Sequence, residues 1–471
     1  MILSAAALPA AVSVPAMAQE RPPEQVAVES RIVPRVSFIG EENALPTLEE
    51  RRAELGVNSA SVAIFRGGEL DWSQTYGEGV DGDTLYQAAS LSKAVASAGI
   101  VAIAVERGMS LDADISEDLV GLDLALINPE GLPITLRGLL SHTNGAGVGG
   151  FPGYATGTPL PTTAQVIEGS EPTNTDTVVI SSERMGDFHY SGGGYTIAQY
   201  WAERVTGEDF PALMQRHVLD PVGMERSLFA ALPPEGFPRE NVARAYYRGD
   251  AGVEGGWHSY PEYAAASLWS TPREYGRFAL AMIAALEGDG SLGIDPQVAR
   301  EMLTPVSDDY GLGVGIGSTA GGGARFGHSG SNVGYKTQFF AWPASGNVVV
   351  YMSNAQNGYA LLSDISRTVE WTYGWGAPEQ VVRSRLPASD SERAALIGTY
   401  RMAGGEGPTV MISAAANGEL RGSMPNGYSF RLIRTGNATW IDPDDGEEVT
   451  FSIAEDGTTS VSSGSTVVVR Q

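Results

Sequence analysis

The chain has 471 residues, 42% hydrophobic and 18% charged, which supplies enough apolar material for a substantial core and rules out a disordered tail. Thirty basic against 56 acidic residues leave a formal charge of −26. That balance opposes nucleic acid or an anionic membrane as partner and biases the site toward neutral or cationic substrates. There is no cysteine, so disulfides, thiolate nucleophiles and cysteine-ligated metals are excluded, and no fixed-period repeat points to a solenoid.

Residues 1–18 are apolar and end in Ala16-Met17-Ala18 before Gln19, the small-x-small pattern of a signal-peptidase site, although a positive n-region is missing. The segment reads as a signal-peptide remnant, with the mature chain in the periplasm or secreted. Pro9 and Pro15 interrupt a run already short for a membrane span, and no transmembrane segment is expected elsewhere. Residues 19–50 read as a polar leader.

From there the pattern predicts a folded unit over 51–375. Ser59 to Phe65 alternates as a strand, Gly67-Gly68 turns, and Glu69 to Tyr76 returns as a second strand. Ser90 to Arg107, dense in Ala, Val and Ile and stopped by Gly108, reads as a buried helix. Helices follow at Tyr195 to Thr206, at Pro211 to Leu219 and within 268–287, the last capped by Ser270 or Thr271. Strands return at Gly311 to Ile316, Thr337 to Trp342 and Asn347 to Met352, before a helix from about Ala360 to Tyr373. Strands at both ends with helices between predict an α/β fold whose sheet is completed from both termini. Residues 376–392, with Pro378 and Pro387, read as a linker. Residues 393–471 carry short strand candidates separated by Gly, Asn and Asp and predict a small antiparallel β barrel. The acidic run Asp442 to Glu448 reads as turns and solvated surface, without the ligand spacing of a calcium loop.

Three motifs carry chemistry. In Tyr86-Gln-Ala-Ala-Ser90-Leu-Ser-Lys93, positions three apart on a helix let Ser90 and Lys93 touch. A lysine in a dry pocket sheds its proton and can accept that of the serine hydroxyl. In Phe188-His-Tyr190-Ser191-Gly-Gly-Gly194-Tyr195, three glycines suit a loop that presents Tyr190 to a cleft, while Tyr195 begins a packed helix. In Phe326-Gly-His328-Ser329-Gly330-Ser331, one of only five histidines sits among small residues at a strand edge, where an imidazole and a backbone N–H can face one substrate. His142 reads as structural, His189 as facing away from the site and His217 as a helix-end residue, while His258 beside Trp257 is a candidate pocket rim.

In this order, with separations of roughly 100 and 140 residues, the motifs resemble those of the penicillin-recognising serine hydrolases: class C β-lactamases, D-alanyl-D-alanine carboxypeptidases, D-aminopeptidases and esterase relatives. Leu139-Leu-Ser-His-Thr-Asn-Gly145 and Ala264-Ala-Ala-Ser-Leu-Trp-Ser-Thr-Pro272 add to the likeness, which covers about residues 45–375. It implies an α/β domain with a β-lactamase/transpeptidase-like antiparallel sheet, a helical subdomain and a cleft between them. It further implies that Ser90 is acylated, that Lys93 and Tyr190 share proton transfer, that His328 lines the opposite wall, and that the backbone N–H groups of Ser90 and Ser331 form an oxyanion hole. No cofactor or metal is implied.

The chain departs from the family pattern at two places. Gly192 stands where the YxN asparagine is expected, leaving Gly192, Gly330, Asn332 and His258 as candidate substrate contacts. His328 replaces a lysine, and a neutral imidazole attracts a substrate carboxylate less than an ammonium does. The resemblance therefore implies a peptidase or amidase of the D-aminopeptidase kind, with a lactamase-like carboxylesterase and a slow-turnover penicillin-binding protein as alternatives. The expected partner is a small molecule or short peptide. The terminal barrel resembles lipocalin-like extensions of D-aminopeptidases and is expected to wall the cleft or mediate homo-oligomer contacts.

Overall fold

The computed structural model describes residues 21–41, 45–232, 241–321, 323–402, 409–415, 418–425, 427–464 and 466–471. Residues 1–18, read from the sequence as a signal-peptide remnant, lie outside the described residues.

Six antiparallel strands form the central sheet in the order Gly315–Ser318, Ala324–Asn332, Tyr335–Trp342, Asn347–Ser353, Ser59–Arg66 and Glu69–Gly77. The hairpin turned at Gly67-Gly68 pairs with the last of the four later strands, with Ser61 opposite Met352, so the sheet is completed from both termini as expected. Strand side chains alternate between faces. Ala63, Phe65, Val348, Val350 and Met352 enter one core, and Val62, Ile64, Val349 and Tyr351 the other. Helices Pro272–Ala285 and Ser92–Glu106 contribute to the first core; Gly358–Tyr373, Leu48–Leu55 and Pro23–Ser30 contribute to the second. Ala89–Glu106 is apolar enough by length and composition to cross a membrane, but its side chains are mostly buried in the first core, which explains the composition without a bilayer.

Ala324–Asn332 is a full nine-residue strand, where the sequence suggested only an edge at His328. Small and polar residues hide it, and continuous pairing from Phe326 opposite Ala341 to Asn332 opposite Tyr335 imposes it. The leader and linker also contain structure. Val36–Phe38 pairs in parallel with Val381–Arg383, and Val28, Ile32, Val36 and Phe38 are buried, apolar positions too sparse to show a period.

Gly398–Met402, Val410–Ala414, Leu420–Ser423, Ser429–Arg434, Thr439–Ile441, Glu448–Ile453, Thr459–Ser463 and Thr466–Arg470 close an eight-stranded antiparallel barrel around Tyr400, Ile412, Leu420, Leu432, Trp440 and Phe451. The polar strand Thr459–Ser463 carries no hydrophobic signal; pairing on both sides as the barrel closes forms it.

One correction concerns the acidic run Asp442 to Glu448, expected to be solvated. Asp442 and Asp444 are buried, because Asp444 meets a guanidinium from the hydrolase-like part of the chain. Arg51 reaches Asp444 at 2.5 Å, Asp364 at 2.9 Å and Glu54 at 2.8 Å, while Arg431 of the barrel meets Glu54 at 3.0 Å. Burial pushes the Asp442 carboxyl up to about 8. Without Arg51 the buried Asp364 keeps only Arg367, at 2.9 Å, and Asp444 keeps only Arg431, at 3.6 Å, so both carboxylates are left under-compensated. Arg51→Met is therefore expected to cost about 3 kcal/mol in urea unfolding of the full chain. A loss within ~0.5 kcal/mol, the range of ordinary surface substitutions, would show that this cluster does not clamp the barrel.

Candidate active site

The site begins at a strained turn. Ala89–Leu91 forms one 3₁₀ turn that runs into helix Ser92–Glu106, and Ala89 has φ +53°, a left-handed conformation unfavourable for a residue with a Cβ. Two contacts hold the turn in place. The Thr337 hydroxyl donates to the Ala88 carbonyl at 2.7 Å, and Gly330 lets its strand lie close by. A Cβ at Gly330 would sit 2.5 Å from that carbonyl oxygen and 2.3 Å from Thr337 Oγ1. Ser92 turns inward, donating to the Ala89 carbonyl at 2.5 Å and accepting from the Leu268 N–H, whereas Ser90 is half-buried and its hydroxyl faces Lys93. Gly330→Ala is expected to push the strand off the turn and cut turnover about 10²-fold, as misplacement by an ångström does. Unchanged kcat in a folded variant would contradict this packing argument.

Lys93 lies one helical turn on. Its Nζ is 3.2 Å from Ser90 Oγ and donates to the Ala265 carbonyl at 2.8 Å. The residue is 2% exposed, and burial alone pulls the ammonium down to about 7. The Tyr190 and Tyr195 rings lie 5.0 and 5.5 Å from Nζ and give the charged form a favourable face. Ala265 belongs to the sequence stretch Ala264 to Pro272, whose carbonyl orients the amine.

Tyr190 is 37% exposed on the far side of the Lys93 amine from the helix. Burial raises its phenol to about 12, while a hydrogen bond with Ser90 opposes that rise. His142 forms its base plate, with ring centroids 4.4 Å apart. The Ser191 N–H donates to His142 Nδ1 at 3.0 Å, so this nitrogen is the acceptor. Burial, then Lys93 and His328, hold this imidazole well below its usual range and therefore neutral. His142 thus positions the Tyr190 loop, in keeping with its structural reading. Ser191 caps helix Gly192–Thr206 by accepting from the Gly194 N–H at 2.8 Å. Tyr195 is buried and donates to the Leu140 carbonyl at 2.7 Å, as a core residue should. His189 is exposed, and His217 lies in the turn Gln215–Leu219, 3.8 Å from Glu106.

At Gly192 a Cβ would meet the Phe151 ring at 2.7 Å, so an aromatic occupies the space an asparagine side chain would need. His328 lies on the neighbouring wall, its ring centroid 6.0 Å from that of Tyr190. Burial and Lys93 lower it to about 4, so it is neutral. Its Nδ1 is 2.6 Å from the Ser329 carbonyl, which only accepts, so Nδ1 carries the proton and Nε2 accepts from the Tyr310 hydroxyl at 2.9 Å. Both ring nitrogens are occupied within the protein. Asn332 likewise spends its amide N–H groups on Gln87 and the Ala266 carbonyl, strapping the strand end to the Ser90 segment. His258 contacts the Pro152 carbonyl at 3.2 Å, and its own carbonyl accepts from Gln87. Ser331 is exposed beside Gly330 and opposite Lys336 in register.

The structure therefore groups Ser90, Lys93, Tyr190, His328 and Gly330 at one locus. It adds Tyr310 and Phe151, for which the sequence carries no local signal, and the Ala265 carbonyl, which lies in the stretch Ala264 to Pro272 singled out above. It also adds Lys336, which a census of residue types would have flagged: the chain has two lysines, Lys93 and Lys336, and 28 arginines.

The Beta-lactamase family model matches residues 46–367, and the chain belongs to that family. This membership supports enzymatic activity of the serine-hydrolase type. No curated protein matches the chain. Among solved structures, the chain is similar to the octameric penicillin-binding protein homologue from Pyrococcus abyssi, with 20% identity, TM-score 0.60 and coverage of 90% of this chain and 98% of that one. It is also similar to the D-amino acid amidase from Ochrobactrum anthropi SV3, at 20% identity and TM-score 0.55 over 74% and 99% of the two chains. A D-stereospecific amidohydrolase from Streptomyces sp. aligns at 20% identity and TM-score 0.54 over 70% and 97%. At these identities the likeness is one of fold. The archaeal match spans more of the chain than the family region does.

Proposed function

We propose that this chain is an amidohydrolase that cleaves small aminoacyl amides or short peptides through an acyl-enzyme at Ser90. The observation that carries this reading is the Ser90–Lys93 pair at 3.2 Å, with a lysine whose burial leaves a large neutral fraction near pH 7. The neutral amine of Lys93 takes the hydroxyl proton as Ser90 Oγ attacks the carbonyl carbon. The backbone N–H groups of Ser90 and Ser331 hold the resulting oxyanion. Tyr190 passes a proton to the departing amine as the C–N bond breaks. Water then attacks the ester carbonyl, giving up its proton through Tyr190 and Lys93, and the acid leaves as Ser90 regains its hydrogen. His328, neutral and internally bonded, sets the position of Tyr310 and the wall beside Tyr190. The likeness to a D-amino acid amidase and a D-stereospecific amidohydrolase supports an amide substrate, with a D-residue as the first stereochemistry to try.

Phe151 in the space beside Gly192 favours a second reading, a carboxylesterase, because the side-chain amide expected to grip an amide substrate is missing. Matched D- and L-aminoacyl amides and esters decide between them. A specificity constant for the best amide within about tenfold of its ester supports the amidohydrolase, and no amide turnover at high enzyme overturns it. Stoichiometric acylation without release would mark a slow-turnover penicillin-binding protein.

Homo-oligomerisation through the barrel and an extracytoplasmic location complete the proposal. The barrel exposes Met402, Met411, Ile453 and Val467, and the archaeal structure is described as octameric. A monomeric mass by light scattering would remove the assembly element.

A further inference from the structure

The terminal barrel is closed by strand pairing but not filled by side chains. Val410 lies opposite the core residue Tyr400, Val461 opposite the core residue Phe451, and Val468 opposite Val461, so all three point inward. They are nevertheless only half-buried, because they line a cavity of about 190 Å³ together with Ile412, Leu432 and Phe430. Gly422 shapes one wall. It stands opposite Phe430 in the strand pair, and a Cβ there would fall 2.1 Å from the ring, so the ring takes the place of a side chain at 422. Tyr428 continues this aromatic wall, its ring centroid 6.0 Å from that of Phe430.

One end of the cavity is acidic. Asp442, Asp445 and Glu447 line it from the turn between strands Thr439–Ile441 and Glu448–Ile453. Asp445 and Glu447 are exposed and mark the mouth, whereas Asp442 is 4% exposed. Asp442 Oδ1 accepts the Asp444 N–H at 2.9 Å; among the described residues nothing donates to Oδ2 and no cation pairs with the carboxyl. The guanidinium groups near this turn are committed elsewhere, Arg51 to Asp444, Asp364 and Glu54, and Arg431 to Glu54 and Asp444. A carboxyl so deeply buried rarely goes without a counter-charge. Burial, and then Asp445 and Asp444, push it up to about 8, the direction expected when that counter-charge is missing.

Size and chemistry together narrow the occupant. An apolar cavity of about 150 Å³ takes up benzene, so this one accommodates a single ring with a short arm. An ammonium on that arm meets Asp442 and the faces of Tyr428 and Phe430, both favourable to a cation. A carboxylate on the same arm meets three acids, and a hydroxyl leaves Asp442 without its charge partner.

We infer that the barrel cavity is a binding site for a small primary amine carrying one aromatic ring, with the ring between Phe430 and Val461 and the ammonium on Asp442. The site lies outside the family region 46–367 and does not involve Ser90, so it stands independently of the proposed reaction.

The test is a calorimetric titration of the full chain with benzylamine, benzyl alcohol and benzoate, three probes that share the ring and differ in the group on the arm. Benzylamine is expected to bind at least about tenfold more tightly than benzyl alcohol, and benzoate not at all at concentrations that saturate with the amine. Asp442→Asn is expected to bring the amine and the alcohol within about threefold of each other, and Val461→Phe, which fills the cavity and leaves Asp442 in place, to weaken both by about tenfold or more. Equal binding of the three probes by the wild type, or an amine preference that survives both substitutions in proteins of unchanged melting temperature, would overturn the site. If neither variant folds, the comparison of the three probes on the wild type still decides.

Discussion

Ser90→Ala is expected to reduce turnover of any amide or ester substrate by at least about 10⁴-fold while leaving the melting temperature within a few degrees of wild type. The magnitude follows from the role: without Oγ there is no acyl-enzyme, and the remaining N–H donors only polarise a carbonyl that water must attack unaided. The structural effect is small because Ser90 is only half-buried, whereas the turn is held by the backbone contacts of Ala88 and by Ser92. Activity within tenfold of wild type in the purified variant would remove Ser90 from the mechanism.

The second large effect belongs to Lys93. Lys93→Ala is expected to lower kcat/KM by at least about 10²-fold, the usual contribution of a positioned base. It is also expected to erase a rising limb near pH 7. The sign follows from the charge. Below about 7 Lys93 is an ammonium and cannot accept the Ser90 proton; above it the amine is free, so rate rises with pH. The groups around it titrate elsewhere: His142 is held well below its usual value, His328 near 4, Tyr190 near 12 and Tyr195 higher still. The buried Glu262 and Lys336, both near 8, are separated from Lys93 by comparing profiles, since a limb that persists in Lys93→Ala would belong to one of them.

Much of the site was legible because its chemistry is local. Ser90 and Lys93 announce each other by helical spacing, and Tyr190 by its glycines. The remaining parts arrive through tertiary structure. Tyr310 sits in an irregular loop and meets His328 across 18 positions, so no periodicity connects them. Phe151 meaningfully alters the cleft only because Gly192 folds beneath it. The role of His328 also changes. A candidate wall residue in sequence becomes, once its two nitrogens are seen to be occupied, the group that fixes Tyr310.

The fold divides in the same way. The Ser59–Arg66 and Asn347–Ser353 strands are apolar on both faces and stand out in sequence. Ala324–Asn332 and Thr459–Ser463 are rich in small or polar residues and become strands because neighbours on both sides supply pairing. Burial of Asp442 and Asp444 was equally invisible, because Arg51 lies 393 residues away from Asp444.

The most direct test of the account is intact-mass spectrometry after reaction with a fluorophosphonate, on wild type and on Ser90→Ala. A single adduct on wild type and none on the variant is the predicted result, fixing Ser90 as the nucleophile. An unlabelled wild type, or equal labelling of the two proteins, would contradict the acyl-enzyme mechanism proposed for this cleft.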